Sequence, residues 1–185
     1  GVSSAASDVY KRQPNTSVIG PHDIIQWPAM SERVDHEAEL AVVIGRICKD
    51  VPKEKAADVI FGYTLANDVT ARDLQSKDGQ WSRAKGFDTF CPLGPWIETD
   101  FTPGTQKITA TVNGEIKQSA TLNQMIFDVP TIINFVSSVM TLLPGDVIIT
   151  GTPSGIGPMP SGAEVTVSIE GIGSLTNKVS ARATK

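Results

Sequence analysis

The stretch RVDHEAELAVVIG, residues 33–45, places two glutamates at the start of a run that is otherwise apolar. Apart from Glu39, residues 38–44 are apolar on both alternating faces, which predicts a central strand covered on both sides. Because strand side chains repeat every two residues, Glu37 and Glu39 share one face beside the core. Two carboxylates placed there need a basic partner or a bound cation, unless they form a frayed strand end that lies in water.

The composition excludes several classes of partner. A chain of 185 residues is long enough for one domain with a substantial core. The net charge of -4 argues against nucleic acid as a partner, because phosphate binding needs a basic face. No apolar run of about 20 residues occurs, so we expect no membrane span. Cys48 and Cys91 lie far apart in the sequence and form no metal or redox motif, which favours a cytoplasmic protein.

The first dozen residues, GVSSAASDVYKR, differ from the rest of the chain. They are small and polar without periodicity, and they lack the successive regions of a signal peptide. We interpret residues 1–13 as a tail foreign to the domain, or as a cloning or sequencing scar. Residues 14–185 then form the domain proper.

The remaining patterns predict many strands and few helices. A helix is expected after Pro52, and a second one, capped by Asp128, is expected to run to Pro144. The dipeptide Asn113-Gly114 between alternating segments predicts a type I′ hairpin. A short buried strand is expected in DVIIT, and two strands around a glycine turn are expected in EVTVSIEGIGSLTNKVSA. The fold class is therefore mainly β, or α+β, with a few short helices.

A third acidic residue, Asp68, follows the next strand-like segment. A return connection could place it beside Glu37 and Glu39. Three carboxylates without cysteine suit Mg²⁺ or Mn²⁺ rather than Zn²⁺. The alternative is that Asp68 only forms a turn and that Arg72 and Asp73 form a solvated ion pair.

Two further segments carry polar groups among glycines and aromatic residues. Lys85, in AKGFDTF, is by itself typical of a surface lysine. The loop GTPSGIG, residues 151–157, follows a predicted strand, but no Gly-Lys-Ser/Thr follows and the prolines at 158 and 160 prevent a helix. A phosphate site is therefore disfavoured, and Thr152 with the backbone N–H groups could instead bind a carboxylate.

Five segments, taken in order, resemble the fumarylacetoacetate hydrolase superfamily over about residues 14–183. The segment FDTFCPLGPWIETD is most similar to bacterial proteins named 2-hydroxyhepta-2,4-diene-1,7-dioate isomerase or 5-carboxymethyl-2-hydroxymuconate isomerase. The resemblance implies a β-sandwich roll with a few short helices, usually as a homodimer. The five segments are DHEAELAVVIG, GYTLANDVTARDLQ, AKGFDTFCPLGPW, VNGEIKQSATLNQMIF and LLPGDVIITGTPSGIG.

The resemblance also implies a site. The metal-binding Glu-x-Glu of the family falls on Glu37 and Glu39, and its third carboxylate falls on Asp68. Lys85 would complement the charge of a developing oxyanion, and Thr152 would fix the substrate. The implied chemistry is hydrolysis, isomerisation or decarboxylation of 2-oxo or 2-hydroxy-dienoic di-acids, through an enolate stabilised by Mg²⁺ or Mn²⁺, in aromatic catabolism or oxaloacetate disposal. The substrate-facing positions of the family fall on Arg72, Gln75, Lys85, Thr89 and Thr152.

Hydrolysis also needs a base that activates water. His36 is expected to point away from the carboxylate face, and His22 lies in a predicted turn. In the family the base comes from a lid that precedes the recognisable part of this chain, or its glutamate stands at the position of Thr166. The alternative hypothesis is therefore a catalytically impaired metal-binding or scaffolding domain without its general base.

Overall fold

The computed structural model of the protein describes residues 13–182, so most of the segment predicted to be foreign lies outside the described residues. The described part is built mainly of strands in three sheets, which confirms the predicted class. None of its helices has the length and apolar character that a membrane-crossing helix requires. The strands are β1 (Val18–Ile19), β2 (Ile24–Ile25), β3 (Val34–His36), β4 (Ala38–Ile44), β5 (Ile60–Asn67), β6 (Thr70–Ala71), β7 (Cys91–Glu98), β8 (Lys107–Val112), β9 (Glu115–Thr121), β10 (Val147–Ile149), β11 (Gly157–Pro158), β12 (Glu164–Ile169) and β13 (Gly173–Val179).

The first sheet has five strands in the order β1-β7-β5-β4-β10. All seven residues of β4 are buried, as its two apolar faces predict. The strand pairs antiparallel with β5, so that Ala38 lies opposite Asn67 at the end of β5. The strand predicted at residues 147–149 is present, but the prediction that it is buried was wrong. β10 forms an edge of this sheet, where Val147 is exposed and the next two residues are half-buried.

The second large sheet has the order β2-β13-β12-β8-β9, and a short sheet of β11, β3 and β6 lies beside the two. The main core cluster contains side chains from β4 and β5 and from β8, β12 and β13, so the two five-stranded sheets face each other as a sandwich. The hairpin between β8 and β9 turns at Asn113, with φ 52°, and Gly114, with φ 80°. Positive φ at both positions is the type I′ geometry that the sequence predicts.

Three α-helices lie within residues 13–182, namely α1 (Arg72–Asp78), α2 (Ser82–Lys85) and α3 (Val129–Val139). Asp128 caps α3 as predicted, since its Oδ1 accepts from the backbone N–H of Thr131 at 2.9 Å. This contact with Thr131 lowers the pKa of Asp128. The helix α3 ends at Val139, earlier than predicted. The helix predicted after Pro52 is the 3-10 helix Lys53–Val59, and β5 begins directly after it at Ile60. The other 3-10 segments are Asn15–Ser17 and Leu122–Gln124.

Candidate metal centre

Three carboxylates meet where β3, β4 and β5 come together. Glu37 lies in the single-residue break between β3 and β4, Glu39 lies in β4, and Asp68 directly follows β5. The antiparallel pairing brings Asp68 beside the pair, and its N–H donates to the carbonyl oxygen of Glu37 at 2.9 Å. One oxygen from each carboxylate lies within 4.8 Å of the others, and all three residues are buried. The geometry therefore contradicts both a frayed strand end and a solvated turn.

Lys85 is the basic partner of this cluster. It is the last residue of α2 and is only 1% exposed, so the alternative of a surface lysine is wrong. Its Nζ donates to Glu37 Oε2 at 2.7 Å and also to Asp68 Oδ2. A buried charge needs such partners, because an isolated ammonium in the interior loses its hydration without compensation.

Arg72, the first residue of α1, holds the other side of Glu37. Its Nη2 donates to Glu37 Oε1 at 2.5 Å, and its Nη1 donates to Gln75 Oε1 at 2.6 Å. Burial alone would lower the pKa of Arg72, but the negative charges of Glu37 and Asp35 outweigh burial and raise it. Asp73 does not pair with Arg72 in a solvated bridge; its Oδ1 accepts from the hydroxyl of Ser31 at 2.7 Å.

Asp35 belongs to the same network and was missed by the sequence analysis. It is fully buried, and its two oxygens accept from Arg33 Nε at 2.9 Å and Arg33 Nη2 at 3.1 Å. Its Oδ2 also accepts from Arg72 Nε at 2.9 Å. The signal was available, because Asp35, Glu37 and Glu39 follow one another at intervals of two residues. Extending the strand alternation one step back would have predicted Asp35 on the acidic face.

The glycine-rich loop lies against Glu39. The N–H of Gly151 donates to Glu39 Oε2 at 2.5 Å, and the half-buried Thr152 is the next residue in the loop. Gln118 from β9, also missed by the sequence analysis, donates from Nε2 to Thr152 Oγ1 at 2.7 Å and to the carbonyl oxygen of Pro153 at 2.8 Å. The predicted hairpin at 113–114 places Gln118 on β9. No local pattern indicates which side chain of β9 contacts the glycine-rich loop.

Thr89 and Gln13 differ in whether they contact the carboxylates. Thr89 has a positive φ of 70°, and its Oγ1 accepts from the N–H of Gln26 at 2.8 Å. Its contact is thus with the backbone of residue 26 and not with the carboxylates, and its substrate role stays a prediction. Gln13 donates from Nε2 to Asp68 Oδ1 at 3.0 Å and to the carbonyl oxygen of Lys85 at 3.1 Å.

The two histidines of the chain both lie among the described residues, and neither contacts the three carboxylates there. His36 is fully buried, its Nδ1 lies 3.1 Å from Gln118 Oε1, and burial lowers its pKa. His22 is exposed in a turn with φ 68°. Thr166, at the position where some family members carry a glutamate, shares a hydrogen bond of 2.9 Å with Thr176.

The donor set fits a hard divalent cation. Its ligand atoms are carboxylate oxygens, which Mg²⁺ and Mn²⁺ prefer, and no cysteine or histidine within residues 13–182 joins them. Among the described residues, the network combines four carboxylates with three basic side chains. Its members are Asp35, Glu37, Glu39 and Asp68 together with Arg33, Arg72 and Lys85.

Comparison with known proteins adds an independent observation. The family model described as fumarylacetoacetate (FAA) hydrolase C-terminal matches residues 3–180. Oxaloacetate tautomerase Fahd2a, mitochondrial, from Rattus norvegicus is 44% identical over 176 residues, which are 89% of this chain and 56% of that protein. The chain therefore spans only part of the length of this relative.

Solved structures agree with the fold. The structure of 5-carboxymethyl-2-hydroxymuconate delta-isomerase from Mycobacterium smegmatis is 54% identical with a TM-score of 0.91, covering 93% of this chain and 68% of that one. The structure of maleylpyruvate hydrolase from Sphingobium sp. SYK-6, in complex with manganese(II) ion and pyruvate, is 37% identical with a TM-score of 0.85. That match covers 92% of this chain and 64% of the hydrolase.

Proposed function

The chain belongs to the fumarylacetoacetate hydrolase family, and from this premise we propose that it is a divalent-metal-dependent enzyme acting on 2-oxo or 2-hydroxy-dienoic di-acids. The observation that carries the proposal is the buried cluster of Glu37, Glu39 and Asp68 with Lys85 beside it. The names of the relatives span an isomerase, a hydrolase and a tautomerase. These reactions share the development of negative charge next to a carbonyl group, so one site could serve each of them.

Glu37, Glu39 and Asp68 would hold the cation, either Mg²⁺ or Mn²⁺. When bound, a divalent cation supplies a Lewis acid for the oxygens of the substrate. The presence of manganese(II) and pyruvate, a 2-oxo acid, in the maleylpyruvate hydrolase relative supports this assignment.

Lys85 supplies a fixed positive charge next to the carboxylates. The ammonium is buried, where a charge interacts with a developing oxyanion more strongly than in water. Arg72 acts on the opposite side of the cluster, where it orients Glu37 and is itself held by Asp35. We assign Lys85 to charge stabilisation and Arg72 to positioning and substrate recognition, with Gln75 bonded to its guanidinium.

Thr152 and the backbone of its loop would bind the carboxylate of the substrate. The loop is tied to the cluster through Gly151 and to β9 through Gln118, so its position does not depend on a ligand. A pre-positioned loop loses little conformational entropy on binding, which favours tight and oriented binding.

The alternative proposal is a metal-binding or scaffolding domain without turnover. Both proposals keep the carboxylate cluster and its counterion Lys85, but only the enzyme needs Lys85 for turnover. The enzyme names of the relatives favour the catalytic proposal. A substrate panel with Mg²⁺ and Mn²⁺ separates the two; oxaloacetate, an acylpyruvate and 2-hydroxyhepta-2,4-diene-1,7-dioate are its first members.

Oxalate, a stand-in for the enolate of pyruvate, is expected to bind only when Mg²⁺ or Mn²⁺ is present. The reason is that one oxygen from each carboxylate of oxalate can bind the cation together with the three protein carboxylates. Without the cation, the two carboxylates of oxalate would face those of Glu37, Glu39 and Asp68. Isothermal calorimetry with and without metal measures the binding of oxalate. Acetate serves as the control, because it has a single carboxylate and cannot chelate the cation through two neighbouring carbons. Binding of oxalate without metal, or no binding with it, would contradict the proposed site.

We propose a homodimer as the active form. Large apolar side chains are exposed on β1, on α3, after the end of α3 and on β10, which forms an edge of its sheet. They include Val18, Phe135, Val139, Leu143 and Val147. Exposed apolar surface of this kind is typical of a protein interface. Sedimentation analysis is expected to give twice the chain mass of 19.7 kDa, and a monomer at micromolar concentration would contradict the proposal.

A further inference from the structure

The side-chain amide of Gln118 joins two distant parts of the molecule. The residue is 1% exposed and lies on β9. Its Oε1 accepts from the N–H of Ala38 at 3.0 Å, at the start of β4, and its Nε2 donates to the carbonyl oxygen of Pro153 at 2.8 Å. The side chain of Gln118 thus connects β4 to the glycine-rich loop of residues 151–157.

These two partners determine which end of the amide is which. A backbone N–H such as that of Ala38 can only donate, and a carbonyl oxygen such as that of Pro153 can only accept. The oxygen of Gln118 must therefore face Ala38, and its NH₂ group must face Pro153. The orientation follows from the hydrogen-bond network, which is the sound basis for assigning an amide.

The orientation of the amide decides the role of the hydroxyl of Thr152. The second hydrogen of the Gln118 amide points to Thr152 Oγ1 at 2.7 Å, so Oγ1 accepts in this bond. A hydroxyl has one hydrogen, and Oγ1 makes no other hydrogen bond within residues 13–182. The hydroxyl hydrogen of Thr152 is therefore not used within the described residues, and Thr152 directly follows Gly151, whose N–H donates to Glu39.

We propose that Gln118 is a positioning residue that holds Thr152 as a hydrogen-bond donor, so that the site selects a ligand with an acceptor oxygen at that place, such as a carboxylate. The ligand part of this inference rests on the proposed function. A ligand that presents only N–H groups there could use the remaining lone pair of Oγ1 but would leave the hydroxyl hydrogen of Thr152 without an acceptor, and an unpaired polar group of this kind is how polar sites reject near-identical molecules.

The same network fixes the ring of His36. Since Gln118 Oε1 accepts, Nδ1 of His36 at 3.1 Å must carry a hydrogen. The ring is then in the Nδ1–H form, and its Nε2 is a buried acceptor that makes no hydrogen bond within the described residues. Nitrogen NMR distinguishes the two tautomers, and the chain has only two histidines to assign. This test needs neither metal nor substrate.

Gln118→Glu is the variant that separates the roles of the amide. The new carboxylate keeps an acceptor for Ala38 and His36, but it cannot donate to the carbonyl oxygen of Pro153 or to Thr152, whose hydroxyl then turns away from the site to donate to the carboxylate. Oxalate affinity in the presence of Mg²⁺ is expected to fall about 10- to 100-fold, as for the loss of a hydrogen bond to a charged group. The His36 tautomer is expected to remain Nδ1–H, which would show that the contact between residue 118 and His36 persists.

Variants of Thr152 test the same hydrogen bond without changing Gln118, so they remain informative if Gln118→Glu does not fold. Thr152→Val is expected to lose oxalate affinity to the same extent, and Thr152→Ser is expected to retain it. In a double-mutant cycle, Gln118→Glu adds little to Thr152→Val, because both remove the same donor, whereas a merely structural role would add fully.

Three outcomes are decisive. If the unmodified protein binds no oxalate with Mg²⁺, the proposed function fails. If it binds oxalate and Gln118→Glu binds it equally tightly, the inference alone is wrong. An Nε2–H tautomer of His36 in the unmodified protein would overturn the amide orientation, and with it the inference, without touching the proposed function.

Discussion

Lys85→Met is expected to lower turnover about 100- to 1000-fold, as for the loss of one group that stabilises a developing oxyanion. The same change is expected to destabilise the metal-free protein by up to about 3–5 kcal/mol, because removing one partner of a buried ion pair is strongly destabilising. Here two buried carboxylates, those of Glu37 and Asp68, lose their common ammonium. Kinetics on the substrate panel and thermal denaturation with EDTA measure the two effects.

Added metal is expected to recover most of the stability of Lys85→Met but not its turnover. The cation brings positive charge back to the carboxylates, so the rise in Tm on adding Mn²⁺ should be larger in the variant than in the unmodified protein. Lys55→Met is a matched control, because Lys55 forms an exposed pair with Asp58 at 3.6 Å, which contributes little. Turnover at the unmodified rate would remove Lys85 from the site, and unchanged stability without metal would refute its role as counterion.

Glu39→Gln is expected to weaken metal binding by more than about 100-fold, since even residues that only support a metal ligand cost 10- to 100-fold. The fold should persist, because the amide oxygen of the glutamine can still accept from the N–H of Gly151. Calorimetry with Mn²⁺ measures affinity, and circular dichroism confirms the fold.

Glu115→Gln provides the comparison for Glu39→Gln. Glu115 carries an exposed side chain on β9, where it pairs with Lys117, and the same chemical change there should leave metal affinity unaltered. Unchanged metal affinity in Glu39→Gln would contradict the central assignment of the three carboxylates.

The acidic half of the site could be predicted because it depends on local regularities. Strand alternation places Glu37 and Glu39 on one face, and antiparallel pairing of consecutive strands returns Asp68 to them. The same alternation would have included Asp35. The hairpin at 113–114 was predictable for a similar reason, since its turn chemistry is contained in two adjacent residues.

The partners of the carboxylates could not be predicted from pattern alone. Lys85 lies 48 residues from Glu37 in the chain, and Gln118 lies 80 residues from Ala38. Nothing in the four residues of α2 indicates that its last side chain is buried, because burial depends on how α2 packs on the sheets. The exposure of β10 was missed for a related reason, since an edge strand and a central strand of the same apolar composition differ only in sheet order.

Because the chain carries its own counterions, the proposed metal centre is assembled before any ion arrives. Lys85 and Arg72 hold the carboxylates in place, whereas a zinc finger must fold around its metal and unfolds when a chelator removes it. Loading and unloading then become exchange reactions on a finished scaffold. On the proposed function, we expect that different divalent ions can be exchanged in one preparation of the protein, and that the bound ion is set by their relative supply and affinity.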